Sequence, residues 1–188
     1  MKAAEETEVK IRLSNRATVL ELLKRLGFAI AVERLFEANT LYDTHERALM
    51  GRNMLLRLRQ AGENGVITWK GPGESGPYKI RPELETSVGS IETLDRILRQ
   101  LGYSAVFRYE KYRTEFTGRE AAGTVTLDET PIGDFLELEG PGEWIDDTAR
   151  GLGFSQRDYI LDSYARLYLA DCERRGVEPA NMVFASHS

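Results

Sequence analysis

Cysteine and histidine are scarce in this sequence of 188 residues. The only cysteine, Cys172, cannot form an internal disulfide, which favours a reducing compartment. Of the two histidines, His45 has no partner at the spacing of metal ligands, and His187 lies in a short polar tail. The sequence therefore argues against a disulfide-stabilised fold, and we assign neither histidine a role.

Long hydrophobic runs and an excess of positive charge are also absent. No apolar run approaches the roughly 20 residues that a transmembrane helix needs, and no signal peptide opens the sequence. The net charge of −5 disfavours a general nucleic-acid-binding protein. We expect a cytoplasmic protein, monomeric or homodimeric, with neither a membrane nor a nucleic acid as partner.

The composition instead favours one globular domain. Hydrophobic residues make up 41% of the chain and charged residues 29%, and 188 residues are enough to bury a sizeable core. We predict a single domain over residues 1–175, followed by a mobile polar tail over residues 176–188.

Charged and apolar residues alternate along the first predicted strand, residues 6–13. Because side chains alternate between the two faces of a strand, Glu6, Glu8, Lys10 and Arg12 share one face. Two acids followed by a base suit a Mg²⁺ site beside an anion, since Mg²⁺ prefers carboxylate and phosphate oxygens. A half-buried strand with a solvated charged face is the simpler alternative.

The later predicted strands repeat this pattern, with charges on one face and apolar residues on the other. They cover residues 28–42, 54–59, 66–70, 79–87, 103–117, 124–128 and 135–139. Pro82 predicts an edge or a bulge, because proline cannot donate to a ladder. Residues 45–53 should form a loop. Amphipathic helices are predicted at residues 15–25, 91–101, 143–151 and 156–174, the first two capped by Ser14 and Ser90.

The apolar strand faces and the helices predict a barrel with an unusual interior. Antiparallel strands close to remove their edges, and helices can cover only the outside of the resulting barrel. The charged faces should therefore line the lumen, which is the inverse of an ordinary small barrel. The bases involved are Lys10, Arg57, Arg59, Lys70, Arg81, Lys111 and Arg113. The acids are Glu6, Glu8, Glu83, Glu85, Asp128, Glu137 and Glu139.

Such a lumen favours a charged ligand, because charges removed from water need partners or solvent. Clustered bases should repel one another until a polyanion binds, and clustered acids should do so until a divalent cation binds. A metal–polyphosphate complex satisfies both groups. A barrel whose charges are merely solvated is the alternative.

The first strand also carries a family resemblance, since Glu6-Thr7-Glu8-Val9-Lys10 resembles the ExExK signature of the CYTH superfamily, the triphosphate tunnel metalloenzymes. Further segments resemble the family in its own order. They are Leu56-Arg57-Leu58-Arg59, Thr68-Trp69-Lys70, Arg81-Pro82-Glu83-Leu84-Glu85, Lys111-Tyr112-Arg113, Leu127-Asp128 followed by Pro131, Glu137-Leu138-Glu139, and Ser163-Tyr164. The resemblance covers residues 6–174 and implies an α+β fold, a closed eight-stranded antiparallel tunnel with flanking helices.

The resemblance also implies roles, with Mg²⁺ or Mn²⁺ as cofactor and tripolyphosphate, thiamine triphosphate or ATP as ligand. The implied metal ligands are Glu6, Glu8, Asp128, Glu137 and Glu139. The implied triphosphate contacts are Lys10, Arg57, Arg59, Lys70, Arg81, Lys111 and Arg113. The implied catalytic residues are Glu8, Lys10 and Lys70, while Glu83 and Glu85 either hold the bases in place or help bind a second metal ion.

Two reactions fit such a site. In a hydrolase, water attacks the terminal phosphorus, whereas in a class IV adenylyl cyclase the ribose 3′-oxygen attacks the α-phosphorus and pyrophosphate leaves. Residues 1–5 lack the His-Phe that precedes ExExK in bacterial cyclases of this class, although residues 39–44 resemble the cyclase-like branch. We expect a triphosphatase, with a cyclase as the alternative and a non-catalytic polyphosphate-binding module as a further one.

Overall fold

In the residues that this computed structural model describes, 4–74, 76–118 and 122–185, eight antiparallel strands close into a barrel. The strands are β1 (Ala4–Arg12), β2 (Ala29–Asp43), β3 (Leu55–Ala61), β4 (Asn64–Lys70), β5 (Lys79–Val88), β6 (Ser104–Thr117), β7 (Thr124–Thr130) and β8 (Gly133–Glu139). The helices are α1 (Arg16–Arg25), α2 (Ala48–Gly51), α3 (Ile91–Gln100), α4 (Gly142–Gly151) and α5 (Tyr164–Arg175). Around the barrel the order is β1-β5-β4-β3-β2-β6-β7-β8, and β8 pairs with β1. The predicted fold class is confirmed.

Much of the outward surface of the barrel is apolar and lies beneath helices. Leu136 and Leu138 of β8 are completely buried in a cluster to which α1 contributes Leu23 and α4 contributes Ile145. Burying one such side chain stabilises the fold by about 1.5–3 kcal/mol. On the other side of the barrel, α3 packs its Leu98 against the outer faces of β2 and β3. The helices therefore occupy the outside, and the charged faces point inward as predicted.

The predicted cap of α3 is confirmed, and the predicted cap of α1 is wrong by one residue. The Ser90 side chain accepts a hydrogen bond from the Thr93 backbone N–H at 3.1 Å. At α1 the N-cap is Asn15 rather than Ser14, because the Asn15 side chain accepts from the Thr18 N–H at 3.2 Å. Asparagine caps helices at least as well as serine, so both residues were suitable by type.

One end of the lumen is closed by α5. Tyr164 and Tyr168 of this helix form a buried aromatic cluster with Tyr109 of β6 and Phe135 of β8. Cys172 is completely buried in the same cluster, which agrees with a packing role for this residue. The charged part of the lumen therefore has an apolar floor.

The predicted long helix at residues 156–174 is wrong in its first half. Residues 156–158 form a single 3₁₀ turn, and α5 begins only after Ser163. Between them Ile160 pairs with Lys10 of β1, donating to its carbonyl at 2.8 Å and accepting from its N–H at 3.0 Å. This pairing holds the chain extended where β1 has passed the end of β5.

The C-terminal segment is attached to the barrel rather than mobile as far as residue 185. Met182 is completely buried, its N–H donates to the Arg108 carbonyl at 3.0 Å, and its carbonyl accepts from the Glu110 N–H at 2.9 Å. The expectation of a mobile tail is therefore wrong for this part, and His187 lies outside the described residues.

Two local expectations are also corrected. Pro82 does not mark an edge, because β5 pairs with both β1 and β4. It lies one residue past the β4 ladder, and its carbonyl accepts from the Gly71 N–H at 2.8 Å. The predicted loop at residues 45–53 contains α2, whose Leu49 and Met50 N–H groups donate to Asp43, each at 2.9 Å. No helix in the described part of the chain has the length and hydrophobicity needed to cross a membrane.

Candidate functional site

The lumen contains a cavity of about 620 Å³ whose wall is formed mostly by charged residues. All predicted site residues except Asp128 line it. They are Glu6, Glu8, Lys10, Arg57, Arg59, Lys70, Arg81, Lys111, Arg113, Glu137 and Glu139. Strand alternation explains this convergence, because each strand presents every second residue to the lumen.

A second, larger groove of about 1030 Å³ lies outside the barrel, between α3 and the C-terminal segment. The arginines on its wall already have acidic partners. Arg99 donates to Asp95 at 2.8 Å, and Arg108 donates to Glu110 at 2.9 Å. Among the described residues only these two bases line the groove, whereas many bases from several strands converge in the lumen, which is the better candidate for an anion site.

Lysines bridge the carboxylates near β1. The Lys10 ammonium lies 3.3 Å from Glu8 and 3.0 Å from Glu137. Lys70 contacts both oxygens of Glu6 at 2.5 Å and lies 3.0 Å from Glu83. Most acids and bases therefore pair with one another, which offsets much of the repulsion expected within each group, although Glu8 still repels Glu6 and Glu139.

Asp128 is placed differently from the other predicted metal ligands, because it is completely buried below the cavity wall. It accepts from Lys111 at 2.8 Å, from Arg113 at 2.6 and 2.7 Å, and from the Tyr164 hydroxyl at 2.7 Å. These contacts orient two of the predicted phosphate-binding bases. Metal ligation by Asp128 stays a prediction.

The lumen divides its carboxylates into two groups by pKa. Burial alone would raise the pKa of Glu8, but the charges of Lys10 and Lys79 outweigh burial and hold it well below its usual range. The same balance, with Lys10 and Arg113, lowers the pKa of Glu137. Burial and then repulsion from Glu8 raise the pKa of Glu6 to about 7. Glu8 and Glu137 are therefore the firmly ionised members.

Glu139 belongs with Glu6, because burial and the neighbouring Glu8 raise its pKa. It lies directly opposite Glu8 across the β1–β8 ladder. Among the described residues it forms no ion pair. The two carboxylates thus face each other at the same level of the wall, where a shared cation would relieve their repulsion.

The two arginines of β3 are held by neighbouring side chains, of which Glu37 and Asn39 were not singled out in the sequence. Arg59 donates to Asn39 at 3.1 Å and to Glu37 at 3.3 Å, both on β2. Arg57 donates to Thr68 at 3.1 Å and lies 3.7 Å from Glu85. Alternation along the predicted second strand places residues 37 and 39 on one face, so this signal was present in the sequence.

Glu83 and Glu85 contact bases, which is the geometry that the first of their two predicted roles, holding the bases in place, requires. Glu83 pairs with Lys70, and Glu85 accepts from the Thr68 hydroxyl at 2.7 Å and lies near Arg57. The Arg81 guanidinium also lines the cavity, but its hydrogen bonds go to backbone carbonyls, above all to that of Gly71 at 2.7 and 3.0 Å. A phosphate contact by Arg81 stays a prediction.

Two aromatic residues and one lysine were missed. Tyr164 was given no role beyond the match at Ser163-Tyr164, yet its ring centroid lies 5.3 Å from the ammonium groups of both Lys10 and Lys111. The Tyr109 hydroxyl accepts from Arg57 at 3.5 Å. Lys79 shares a strand face with Arg81 and donates to Glu8. The match at Ser163-Tyr164 and the spacing of residues 79 and 81 were the available signals.

The chemistry of this wall fits Mg²⁺ or Mn²⁺, because its acidic groups offer only carboxylate oxygens. The acidic side chains are not grouped as metal ligands, however. In the part of the chain that the structure describes, no three acidic, histidine or cysteine side chains are already grouped to hold a metal ion. The ion pairs explain this, since each of Glu6, Glu8 and Glu137 is engaged by a base.

The wall also offers donors for an anion. The Nε of Arg57, which lines the cavity, is buried and has no hydrogen-bond partner among the described residues. The Nδ2 of Asn39 is likewise buried without a partner there, but Asn39 does not line the cavity. A buried donor without a partner costs about 1–3 kcal/mol. A phosphate oxygen would satisfy the Arg57 donor.

Known proteins of similar structure and sequence support the same fold. A Vibrio parahaemolyticus protein described as a "putative adenylate cyclase" has a TM-score of 0.78 at 22% identity, covering 88% of this chain and 98% of that chain. A Hippeastrum protein is described as a "putative adenylyl cyclase" with a dominant triphosphatase activity. Its structure has a TM-score of 0.63 at 16% identity, covering 93% of this chain and 97% of that chain.

In sequence, a Methanocaldococcus jannaschii protein named "putative adenylate cyclase" is 28% identical over 134 residues, which are 71% of this chain and 75% of that protein. The model of the CYTH domain family matches residues 4–162. That match covers most of the sequence, including every strand of the barrel and all of the charged wall, and the chain therefore belongs to the CYTH domain family.

Proposed function

We propose that this protein is a divalent-metal-dependent triphosphatase that binds its substrate in the lumen. The observation that carries the proposal is the convergence of bases from five strands, β1, β3, β4, β5 and β6, on one closed-ended cavity. A triphosphate carries charge along an extended chain, and it can contact several of these bases at once. The acids on β1 and β8 line the same cavity.

The bases would bind and orient the phosphates. Arg57, Arg59 and Lys111 are anchored by neighbouring side chains, so their positions are fixed before substrate binds. Groups fixed in advance stabilise developing charge without reorganisation during the reaction. Lys10 and Lys70 contact the predicted metal ligands Glu8 and Glu6, and there they would neutralise charge on the transferring and leaving phosphates.

Glu6, Glu8, Glu137 and Glu139 are the carboxylates that would hold Mg²⁺ or Mn²⁺. The bound ion would draw charge from phosphate oxygens and make the attacking water more acidic. In the reaction, a water oxygen bonds to the terminal phosphorus, and the bond to the bridging oxygen breaks. The products are orthophosphate and the shortened phosphate chain, which leaves from the bases that bound it.

Adenylyl cyclase activity is the second candidate, favoured by the names of the Methanocaldococcus and Vibrio relatives. The same bases would then bind ATP, with the α-phosphate as the reacting group. Hydrolysis is preferred because the sequence lacks the His-Phe before ExExK, and because the Hippeastrum neighbour is described as mainly a triphosphatase.

The test is to incubate the purified protein with tripolyphosphate, thiamine triphosphate or ATP, with and without Mg²⁺ or Mn²⁺. Orthophosphate, pyrophosphate and cyclic AMP are measured separately. Metal-dependent orthophosphate release supports the proposal, whereas cyclic AMP with pyrophosphate supports the cyclase. Tight binding without any product would indicate a polyphosphate-binding module.

A further inference from the structure

Lys79 forms an ion pair with Glu8, a carboxylate that a bound metal ion would need as a ligand. It lies opposite Glu8 in the β1–β5 ladder, and its ammonium group donates to the Glu8 carboxylate. Lys79 also lines the cavity. In the chemistry described above, Glu8 is a predicted metal ligand, yet Lys79 was not among the predicted phosphate contacts.

Lys79 is better placed to leave Glu8 than Lys10 is. The Lys10 side chain is only 3% exposed and lies between two acids, Glu8 and Glu137. The Lys79 side chain is 17% exposed and forms one ion pair among the described residues. A lysine ammonium on a four-carbon stem can change partners without a change in the backbone.

We propose that Lys79 is a counter-ion that changes partners: it neutralises Glu8 in the metal-free protein and moves to a phosphate oxygen when a divalent cation binds Glu8. This inference rests on the proposed function. A cation and Lys79 compete for one carboxylate, and a displaced ammonium in the cavity needs a new anion. Metal and triphosphate therefore bind with positive coupling, and the coupling is equal in both directions.

The proposal predicts opposite effects of one substitution on two ligands. Lys79→Met removes the competitor for Glu8, so the variant should bind divalent metal alone more tightly than the wild type. It also removes a phosphate contact, so the variant should bind a triphosphate in the presence of metal more weakly. A lysine that only stabilises the fold would not produce this reversal.

The experiment measures Mn²⁺ binding through the EPR signal of free Mn²⁺, with and without a bis-methylene triphosphate that cannot be hydrolysed. The proteins are wild type, Lys79→Met, Lys79→Arg, and Lys24→Met as a control on the exposed face of α1. In the wild type the analogue should tighten Mn²⁺ binding by about 5–150-fold, the usual range of coupling. Lys79→Met should lose most of this factor, and Lys79→Arg and Lys24→Met should keep it.

Weaker binding of Mn²⁺ alone by Lys79→Met, or unchanged coupling in that variant, would overturn the proposal. Circular dichroism checks that each variant folds, and if Lys79→Met does not, Lys79→Gln is measured under the same criteria. If the wild type fails to bind the analogue, the proposed function is overturned. In that case tighter Mn²⁺ binding by Lys79→Met would still show that Lys79 and the metal compete for Glu8.

Discussion

The two faces of the same strands are stabilised in different ways. The outward Val9 and Ile11 of β1 are each 1% exposed, and their burial stabilises the fold whether or not a ligand is bound. The inward Lys10 is 2% exposed, but it depends on Glu8 and Glu137, because a buried ion without a partner is very costly. The outer face thus supplies stability, and the inner face holds charges that a ligand can rearrange.

The largest effect is expected when a base of the inner face, Arg57, is removed. Arg57→Ala should lower kcat/KM for metal–tripolyphosphate by roughly 10²–10³-fold, the loss typical of one donor that stabilises a transition state. Excess metal should not restore the rate, because the lost contact is to phosphate. The matched control is Arg99→Ala on α3, outside the lumen. Equal losses in both variants would contradict a phosphate-binding lumen.

Glu137→Ala tests whether the inner charges pair or repel. It leaves Lys10 and Arg113 without this partner, so the free energy of unfolding should fall by about 3–5 kcal/mol. In a domain of this size each kcal/mol shifts Tm by roughly 2–4 °C, so calorimetry should resolve the change easily. A rise in Tm would mean that repulsion from Glu139 dominates, contrary to the contacts described here.

Leu136→Ala probes the outer face at a completely buried residue. We expect a loss of about 2–5 kcal/mol from lost burial and the resulting cavity. Its kcat/KM, measured well below Tm, should stay essentially unchanged, since the side chain points away from the lumen. A large loss of activity in a folded variant would mean that the two faces are not independent.

The strand face on which each side chain lies could be predicted well from the sequence. Alternation is local, and it placed Arg57, Arg59, Glu137 and Glu139 in the lumen correctly. It could not predict which charge meets which, because the contact of Lys79 with Glu8 depends on the register of strands far apart in sequence. The contacts therefore became known only with the fold.

Long-range pairing also explains the wrong boundaries. The segment before α5 has helical spacing, but Ile160 is held extended by hydrogen bonds to Lys10, about 150 positions earlier in the chain. Met182 is buried because β6 provides hydrogen-bonding partners for its backbone. No periodicity within either segment carries that information.

Ligand binding should stabilise the inner face by a smaller amount. At a hundredfold excess over Kd, a ligand that binds only the folded state adds about 2.7 kcal/mol. Tripolyphosphate with Mg²⁺ should therefore raise Tm by several degrees, and orthophosphate at the same ionic strength should raise it less. High salt should reduce the difference by screening. Equal shifts with both anions would indicate that the charges do not act together.

The smallest effect sharpens the comparison with Asp43, a carboxylate that is stabilised mainly by backbone N–H groups, with a smaller contribution from the charge of Arg47. Asp43 accepts N–H groups from Thr44, Leu49 and Met50 at 2.8–2.9 Å, and these bonds, against the opposing effect of burial, lower its pKa. A lowered pKa means that the ionised group stabilises the fold above the unfolded-state pKa of about 3.9. This contribution is lost as the pH falls through the lower pKa of the folded state. Asp43→Asn should therefore lower the free energy of unfolding by about 1 kcal/mol at pH 7.

That deficit should shrink as the pH falls below about 4, because the wild-type carboxyl group then takes up a proton in the unfolded state, and it should vanish below the lower pKa of the folded state. Urea unfolding at several pH values measures it, with Asp147→Asn on the exposed surface of α4 as the control. The deficit should also be the same with and without Mg²⁺ and tripolyphosphate, because Asp43 bonds to the backbone of α2 and not to a lumen base. A deficit that changes with ligand would place Asp43 within the charge network of the lumen, and the division between a stabilising framework and a rearrangeable interior would then be wrong at this position.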